Sequence, residues 1–121
     1  MRKNLIIDQL DEYHVNLFKN MSAPRLYQTK TELIYENQIP HAGYLLVEGE
    51  IHFIKRKTIF QKIRPGTLFG VCELMHNLPL KFTVKIMPNS KVCILDKSTV
   101  KEILTELEKE KLPLTFKQIS A

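Results

Sequence analysis

Residues 68–84, LFGVCELMHNLPLKFTV, have the residue types of an anion-binding turn. Gly70 precedes a short apolar helical pattern, Pro79 ends that pattern, and a strand-like run follows. A helix that begins at a glycine turn presents unpaired backbone N–H groups, which bind phosphate and other anions. The side chains placed to add charge to such a cradle are Val71 and Leu80, and neither is charged. The segment therefore has the backbone pattern of an anion site without its charged side chains.

The backbone N–H groups of Gly70, Val71 and Cys72 allow two interpretations. Either they hold an anion weakly at the helix N-terminus, or the helix start packs against a strand and is capped by water or neighbouring chain. We favour the second interpretation. We expect three further residues of the same apolar pattern to be core residues in preference to part of a ligand box: Leu74, Met75 and Leu78.

The histidines of this chain predict no metal site. There are four, and none has a histidine partner at the spacing that places two imidazoles together on a strand or helix: His14, His41, His52 and His76. The His-x-His-plus-glutamate spacing of cupin enzymes is also absent, and no serine or cysteine lies in a nucleophile motif. We therefore predict no catalytic residue, no metal and no cofactor.

Composition predicts a globular domain. The chain has 121 residues, 44% of them hydrophobic and 26% charged, and no apolar run reaches the roughly 18 residues that span a bilayer. The N-terminus lacks the pattern of a signal peptide, so we expect a cytoplasmic protein with reduced thiols at Cys72 and Cys93 in preference to a disulfide. The net charge of +5 permits an acidic partner. For the basic cluster at residues 55–57, KRK, we favour a solvated hairpin tip over a nucleic-acid contact.

Hydrophobic periodicity predicts the elements that position the candidate anion turn. Apolar residues at steps of three and four indicate an N-terminal helix at about residues 4–21. Short runs rich in Ile, Val, Phe and Tyr then indicate consecutive antiparallel strands over about residues 26–96, with a helix at about residues 70–78. A capping box begins a last helix at about residues 98–111, followed by a tail. We predict a single α+β domain, residues 1–121, around a small antiparallel β-roll or barrel.

The strand after Pro79 alternates without a break. Four apolar residues are expected to face inward: Leu80, Phe82, Val84 and Ile86. Three others are expected to face outward: Lys81, Thr83 and Lys85. A one-residue slip would bury two lysines, so the register is well determined.

These blocks resemble the cyclic nucleotide-binding domain family. Residues 32–54, ELIYENQIPHAGYLLVEGEIHFI, look like its first strands, and residues 63–70, IRPGTLFG, look like the turn into its phosphate-binding cassette. Residues 69–84 align without a gap on the family pattern FGELAL…PRAATV, and residues 91–104, KVCILDKSTVKEIL, resemble its last strand and following helix. The resemblance implies a double-stranded β-helix roll with flanking helices.

The cassette departs from the family pattern where ligand chemistry is expected. Val71 replaces the glutamate that binds the ribose 2′-hydroxyl, Leu80 replaces the arginine that pairs with the cyclic phosphate, and Phe82 replaces a small residue. Glu73 lies about 200° around the helix from Val71, so we expect it to point away from the pocket. We predict a vestigial ligand site at the family-equivalent positions Phe69, Gly70, Val71, Cys72, Leu80, Lys81, Phe82 and Thr83.

The expected function is that of a non-catalytic regulatory or adaptor protein that acts through protein–protein contacts. Binding of cyclic AMP or cyclic GMP in the usual way is not expected, and a homodimer is one possible arrangement. The alternative is a sensor that binds a cyclic nucleotide or another anion in an altered cassette. Only about a dozen residues follow Glu108, so we expect no DNA-binding domain. For the tail we favour packing over the barrel mouth, with Leu112, Leu114 and Phe116, in preference to a free partner-binding peptide.

Overall fold

The computed structural model describes residues 4–7, 9–109 and 116–119. It contains helices α1 (Glu12–Met21), α2 (Val71–His76) and α3 (Lys97–Lys109). Its strands are β1 (Leu5–Ile7), β2 (Arg25–Tyr27), β3 (Thr31–Ile34), β4 (Gly43–Glu48), β5 (Ile51–Lys55), β6 (Thr58–Ile63), β7 (Leu68–Phe69), β8 (Thr83–Ile86), β9 (Ser90–Leu95) and β10 (Lys117–Gln118).

The strands form two antiparallel sheets. One has six strands in the order β10-β1-β7-β4-β9-β2, and the other has four in the order β3-β8-β5-β6. Their alternating side chains face each other across the roll. This arrangement confirms the predicted α+β class and the antiparallel β-roll with flanking helices.

Two buried clusters hold the fold together. The roll interior contains apolar side chains of both sheets, including Leu46, Phe53 and Val84. The second cluster lies between the opposite face of the six-stranded sheet and the helices, with Phe18 from α1 and Ile103 from α3. The central strands β4, β7 and β9 of the six-stranded sheet are therefore covered on both faces, whereas the edge strand β2 and the outward side chains of the four-stranded sheet are mostly exposed or half-buried.

The N-terminal segment corrects one prediction. The helix predicted at residues 4–21 begins at Glu12, where the Asp11 side chain accepts a hydrogen bond from the His14 backbone N–H at 2.8 Å. Residues 5–7 instead form β1, which pairs with β7 and β10. Gln9, with a φ of 54°, separates the strand from the helix. Adjacent apolar residues at Ile6 and Ile7 are both buried, one in each cluster, which a strand between two layers permits.

The turn between β4 and β5 depends on Gly49. Its φ is +93°, and a Cβ there would lie 2.6 Å from the Ser90 Cα. Neither the backbone conformation nor the space admits another residue without rearrangement. The Ser90 hydroxyl accepts a hydrogen bond from the Glu50 N–H and fixes β9 against this turn.

The C-terminal predictions are met in part by the described residues. Helix α3 extends from Lys97 to Lys109, while residues 110 and 111 of the predicted helix, together with Leu112 and Leu114, lie outside the described residues. Helix α2 is shorter than predicted and ends at His76. Among the described helices, none has the length and apolar character needed to cross a membrane.

Candidate functional site

The cassette begins at a glycine turn that fits the sequence prediction. Gly70 has a φ of +79°, and a Cβ there would lie 3.2 Å from the Ala42 carbonyl oxygen and 3.3 Å from the Tyr44 ring. It is the N-cap of α2, a helix of six residues with no side-chain cap. The turn therefore places the start of α2 directly against β4.

Val71 packs away from the roll interior. Its side chain is 3% exposed and belongs to the cluster between the sheet and the helices, with Val100 of α3. A Cβ on Gly43 would lie 2.9 Å from the Val71 Cγ2 atom, so β4 and α2 approach each other closely here. At this position the valine joins helix α2 to the core.

Leu80 and Phe82 face into the roll. Leu80 is 0% exposed and Phe82 is 5% exposed, whereas Lys81 between them is exposed to solvent. Thr83 is half-buried, and its hydroxyl accepts a hydrogen bond from the Glu36 backbone N–H at 3.1 Å. The burial pattern confirms the predicted inward and outward residues, although strand β8 begins only at Thr83 and not at Leu80 as predicted.

Aromatic rings fill the roll interior next to Leu80. Phe82 stacks on Phe60 with ring centroids 4.7 Å apart and on Phe53 at 5.5 Å. Phe53 meets Phe69 edge-on at 5.3 Å, and Phe69 stacks on Tyr44 at 5.4 Å. These five rings form one continuous contact chain, which we call the aromatic cluster. It spans strands from both sheets and ties them together.

Glu73 is a site residue whose burial the sequence did not predict. Its side chain is 0% exposed, and its Oε2 atom accepts a hydrogen bond from the Asn4 side-chain amide at 2.8 Å. The same Asn4 side chain accepts a hydrogen bond from the Lys81 backbone N–H at 2.8 Å and donates to the Pro79 carbonyl at 3.2 Å. Asn4 thus joins α2 to the segment that leads into β8. Burial raises the pKa of Glu73, and the Asn4 amide partly opposes that rise.

We expect Glu73 to make stability depend on pH above the ordinary pKa of a glutamate. Because burial disfavours the carboxylate, the folded state binds more protons than the unfolded state between the ordinary pKa of 4.5 and the raised pKa. The free energy of unfolding should therefore fall as pH rises through that interval, by up to about 1.4 kcal/mol for each pH unit. Urea unfolding of wild type and Glu73→Gln across this range measures the difference. The exposed Glu102→Gln variant is the control and should keep the wild-type profile; an equal profile for Glu73→Gln would contradict the assignment.

Neither Cys72 nor Cys93 forms a disulfide. Cys93 is buried and Cys72 is half-buried on α2, where the Cys72 Sγ atom lies 3.7 Å from the His76 Nδ1 atom. Burial raises the pKa of Cys93, so its thiol stays protonated near neutral pH. Among the described residues, no group of three His, Cys, Asp or Glu side chains is placed to hold a metal ion.

An apolar groove of about 350 Å³ lies beside α2, between β1, α3 and the tail. Its lining includes Val71, Met75, Leu104 and Phe116. Phe116 is 36% exposed, so the tail reaches the outside of the cassette helix. The sequence prediction placed this residue over the barrel mouth; the structure places it against α2 and α3.

The sequence relatives of this chain include potassium channels and a kinase subunit. It is 29% identical over 82 residues to potassium channel KAT3 of Arabidopsis thaliana, covering 64% of this chain and 12% of the channel. It is 26% identical over 100 residues to the cAMP-dependent protein kinase regulatory subunit of Schizosaccharomyces pombe, covering 82% of this chain and 24% of that protein. The chain thus spans only a small part of each relative.

Solved structures share the fold at low sequence identity. A protein from work on a cyclic-GMP-dependent signalling pathway in bacterial phytopathogenesis superposes with a TM-score of 0.73 at 13% identity, over 82% of each chain. The Thermus thermophilus catabolite activator protein gives a TM-score of 0.64 at 19% identity, over 85% of this chain and 49% of that one. The model of the cyclic nucleotide-binding domain matches residues 24–106, well over half of the sequence. This match confirms the resemblance seen in the cassette and strands: the chain belongs to the cyclic nucleotide-binding domain family.

Proposed function

We propose that this chain is a non-catalytic regulatory or adaptor module that acts through contacts with other proteins and does not bind cyclic AMP or cyclic GMP in the usual way. Its family supports a regulatory or signalling role in general. The proposal that it does not bind cyclic nucleotides in the usual way depends on the side chains that fill the interior of the roll.

The filled interior is the observation that carries the proposal. Leu80 is fully buried where the family pattern has a phosphate-binding arginine, and Phe82 stacks on two further phenylalanines where the pattern has a small residue. An apolar wall offers no partner for a phosphate, and burying an unpaired charge against it is costly. The side chains that would hold the nucleotide are therefore part of the core.

Magnitudes support the same conclusion. A hydrogen bond to a charged group contributes roughly 1.5–3 kcal/mol net. Loss of the ribose and phosphate partners together would then cost about 3–6 kcal/mol. A micromolar ligand binds with about −8.2 kcal/mol, so this loss leaves millimolar affinity or weaker.

We expect neither cyclic AMP nor cyclic GMP to raise the melting temperature of this protein. A ligand at about 100 times its Kd adds about 2.7 kcal/mol to the folded state, which for a domain of this size shifts the melting temperature by many degrees. Thermal unfolding with millimolar nucleotide should show almost no shift, and isothermal titration should show no saturable heat. A domain that does bind cyclic AMP serves as the positive control.

A saturable heat at micromolar nucleotide would overturn this proposal. It would instead support a sensor that uses the altered cassette. Titration of the Phe82→Leu variant would then locate the site, because a smaller side chain inside the roll should strengthen binding there and leave binding elsewhere unchanged.

A further inference from the structure

The outward face of the four-stranded sheet carries a groove that the cassette does not use. We call it the outer groove; it has a volume of about 540 Å³ and is lined by residues that include Lys30, Glu36, Ile54, Arg56, Lys57 and Ile59. The strand registers place Ile54 opposite both Thr83 and Ile59, so Ile54 and Ile59 form an apolar pair on neighbouring strands with Thr83 beside it. Glu32, Lys85, His52 and Lys62 form a parallel polar row beside it.

The cations of the outer groove outnumber the acids available to them. Lys85 pairs with Glu32 at 3.3 Å, so these two charges neutralise each other. Lys30, Arg56 and Lys57 are exposed and have no ion pair among the residues that the structure describes. Glu36 is the other acid of the lining. The groove therefore keeps an excess of positive charge free for a partner.

The hairpin tip holds two of these cations in an unfavourable backbone conformation. Arg56 and Lys57 are the two turn residues between β5 and β6, with φ values of 53° and 65°. A two-residue turn with positive φ at both positions favours Asn-Gly, because most residues other than glycine and asparagine are disfavoured in the left-handed backbone region. Departures from a local rule concentrate where side chains serve a function. Here both departures place a cation at the mouth of the groove.

Exposed apolar groups lie within reach of the same cations. Tyr35 is 57% exposed and Ile59 is 47% exposed, on opposite sides of the groove. Apolar surface next to unpaired cations suits a polypeptide that carries both carboxylates and apolar side chains. The phosphate backbone of a nucleic acid fits less well, because it presents charge without the aliphatic side chains that would cover Ile54 and Ile59.

We infer that the outer groove binds an acidic segment of a partner protein. Carboxylates of that segment pair with Arg56 and Lys57, and its apolar side chains cover Ile54 and Ile59. This inference rests on the proposed function, since it names the surface and the chemistry of the protein contact. The long, planar Arg56 guanidinium suits bidentate pairing with a carboxylate.

A turn replacement tests the inference without weakening the fold. The double variant Arg56→Asn with Lys57→Gly removes both cations and supplies the residues that this turn favours, so it should melt a few degrees above wild type. The probe is a fluorescein-labelled decapeptide of alternating glutamate and leucine, followed by anisotropy and by backbone NMR shifts. A Lys97→Gln and Lys101→Gln variant removes two exposed charges of α3 and is the matched control.

We expect the peptide to shift resonances of β5, β6 and β8, and the turn variant to raise its Kd by about tenfold or more, as for the loss of charge-assisted contacts. The α3 control should change the Kd less than about twofold. Absence of binding, or equal weakening by the α3 control, would overturn the inference. So would tighter binding at this groove by an oligothymidine of the same length.

The nucleotide titrations separate this inference from the proposed function. If neither the nucleotides nor the peptide bind, the inference about the outer groove is refuted and the proposed function is not. Saturable nucleotide binding would refute the proposed function, whether or not the peptide binds.

Discussion

Replacing Phe82 with alanine should lower the free energy of unfolding by about 3–5 kcal/mol, the usual cost of emptying a buried aromatic site. Phe82 is 5% exposed and stacks on both Phe53 and Phe60, so its removal leaves a cavity between the two sheets. Because a domain of this kind is stable by only about 5–15 kcal/mol, the variant should lose much of its stability. Urea and thermal unfolding measure the loss.

Two further variants make the Phe82 result specific. Tyr35→Ala removes an aromatic ring that is 57% exposed and should cost less than about 1 kcal/mol. A double-mutant cycle between Phe60 and Phe82 should show a coupling of about 0.5–1.5 kcal/mol, as expected for stacked rings. If Phe82→Ala unfolds like wild type, the ring does not fill the roll and the argument for an occluded cassette fails.

Restoring the family arginine at position 80 should unfold the protein or come close to it. Leu80 is 0% exposed, so Leu80→Arg removes a buried apolar side chain, at about 2–5 kcal/mol, and also buries a charge without a partner. Backbone hydrogen bonds on both sides of residue 80 also resist a shift that would expose the arginine. The Leu80 N–H donates to the Gln38 carbonyl at 2.9 Å, and the Leu80 carbonyl accepts from the Asn37 N–H at 2.7 Å.

Its neighbour in the sequence supplies the control. Lys81 is exposed, so Lys81→Ala should change the free energy of unfolding by no more than about 0.5 kcal/mol. The outcome that would contradict us is a folded Leu80→Arg variant that gains affinity for cyclic AMP. In that case Leu80 would line a pocket that a nucleotide can enter, and it would not be part of the hydrophobic core.

The strand pattern was predictable because it is a local property. Alternation from Leu80 to Ile86 has one register that keeps the lysines in water, and glycine spacing marks the turn at Gly70. Both features appear in the structure where the sequence indicated them. The same reasoning correctly separated the apolar face that holds Phe82 from the wetter face that holds Lys85.

Contacts between distant residues were not predictable in this way. The buried Glu73 carboxylate accepts a hydrogen bond from the amide of Asn4, which is far away in sequence. No pattern within α2 predicts that partner. Strand β1 was assigned to a helix because its apolar residues also fit a helical period. The signals that mark the true start are Asp11, a helix cap, and the adjacent pair Ile6 and Ile7.

The pairing of β1 with β10 has a consequence for the order of folding. Leu5 lies opposite Gln118, so this pair of strands joins residues more than a hundred positions apart, while the β5–β6 hairpin joins its strands through two residues. Closing the larger loop costs more chain entropy. Strands β1 and β10 have only three and two residues, so few backbone hydrogen bonds between them offset that cost. The roll is therefore able to form first, with β10 and β1 added at the open edge of β7. We therefore expect the edge of the sheet next to the cassette to close last during folding and to open first.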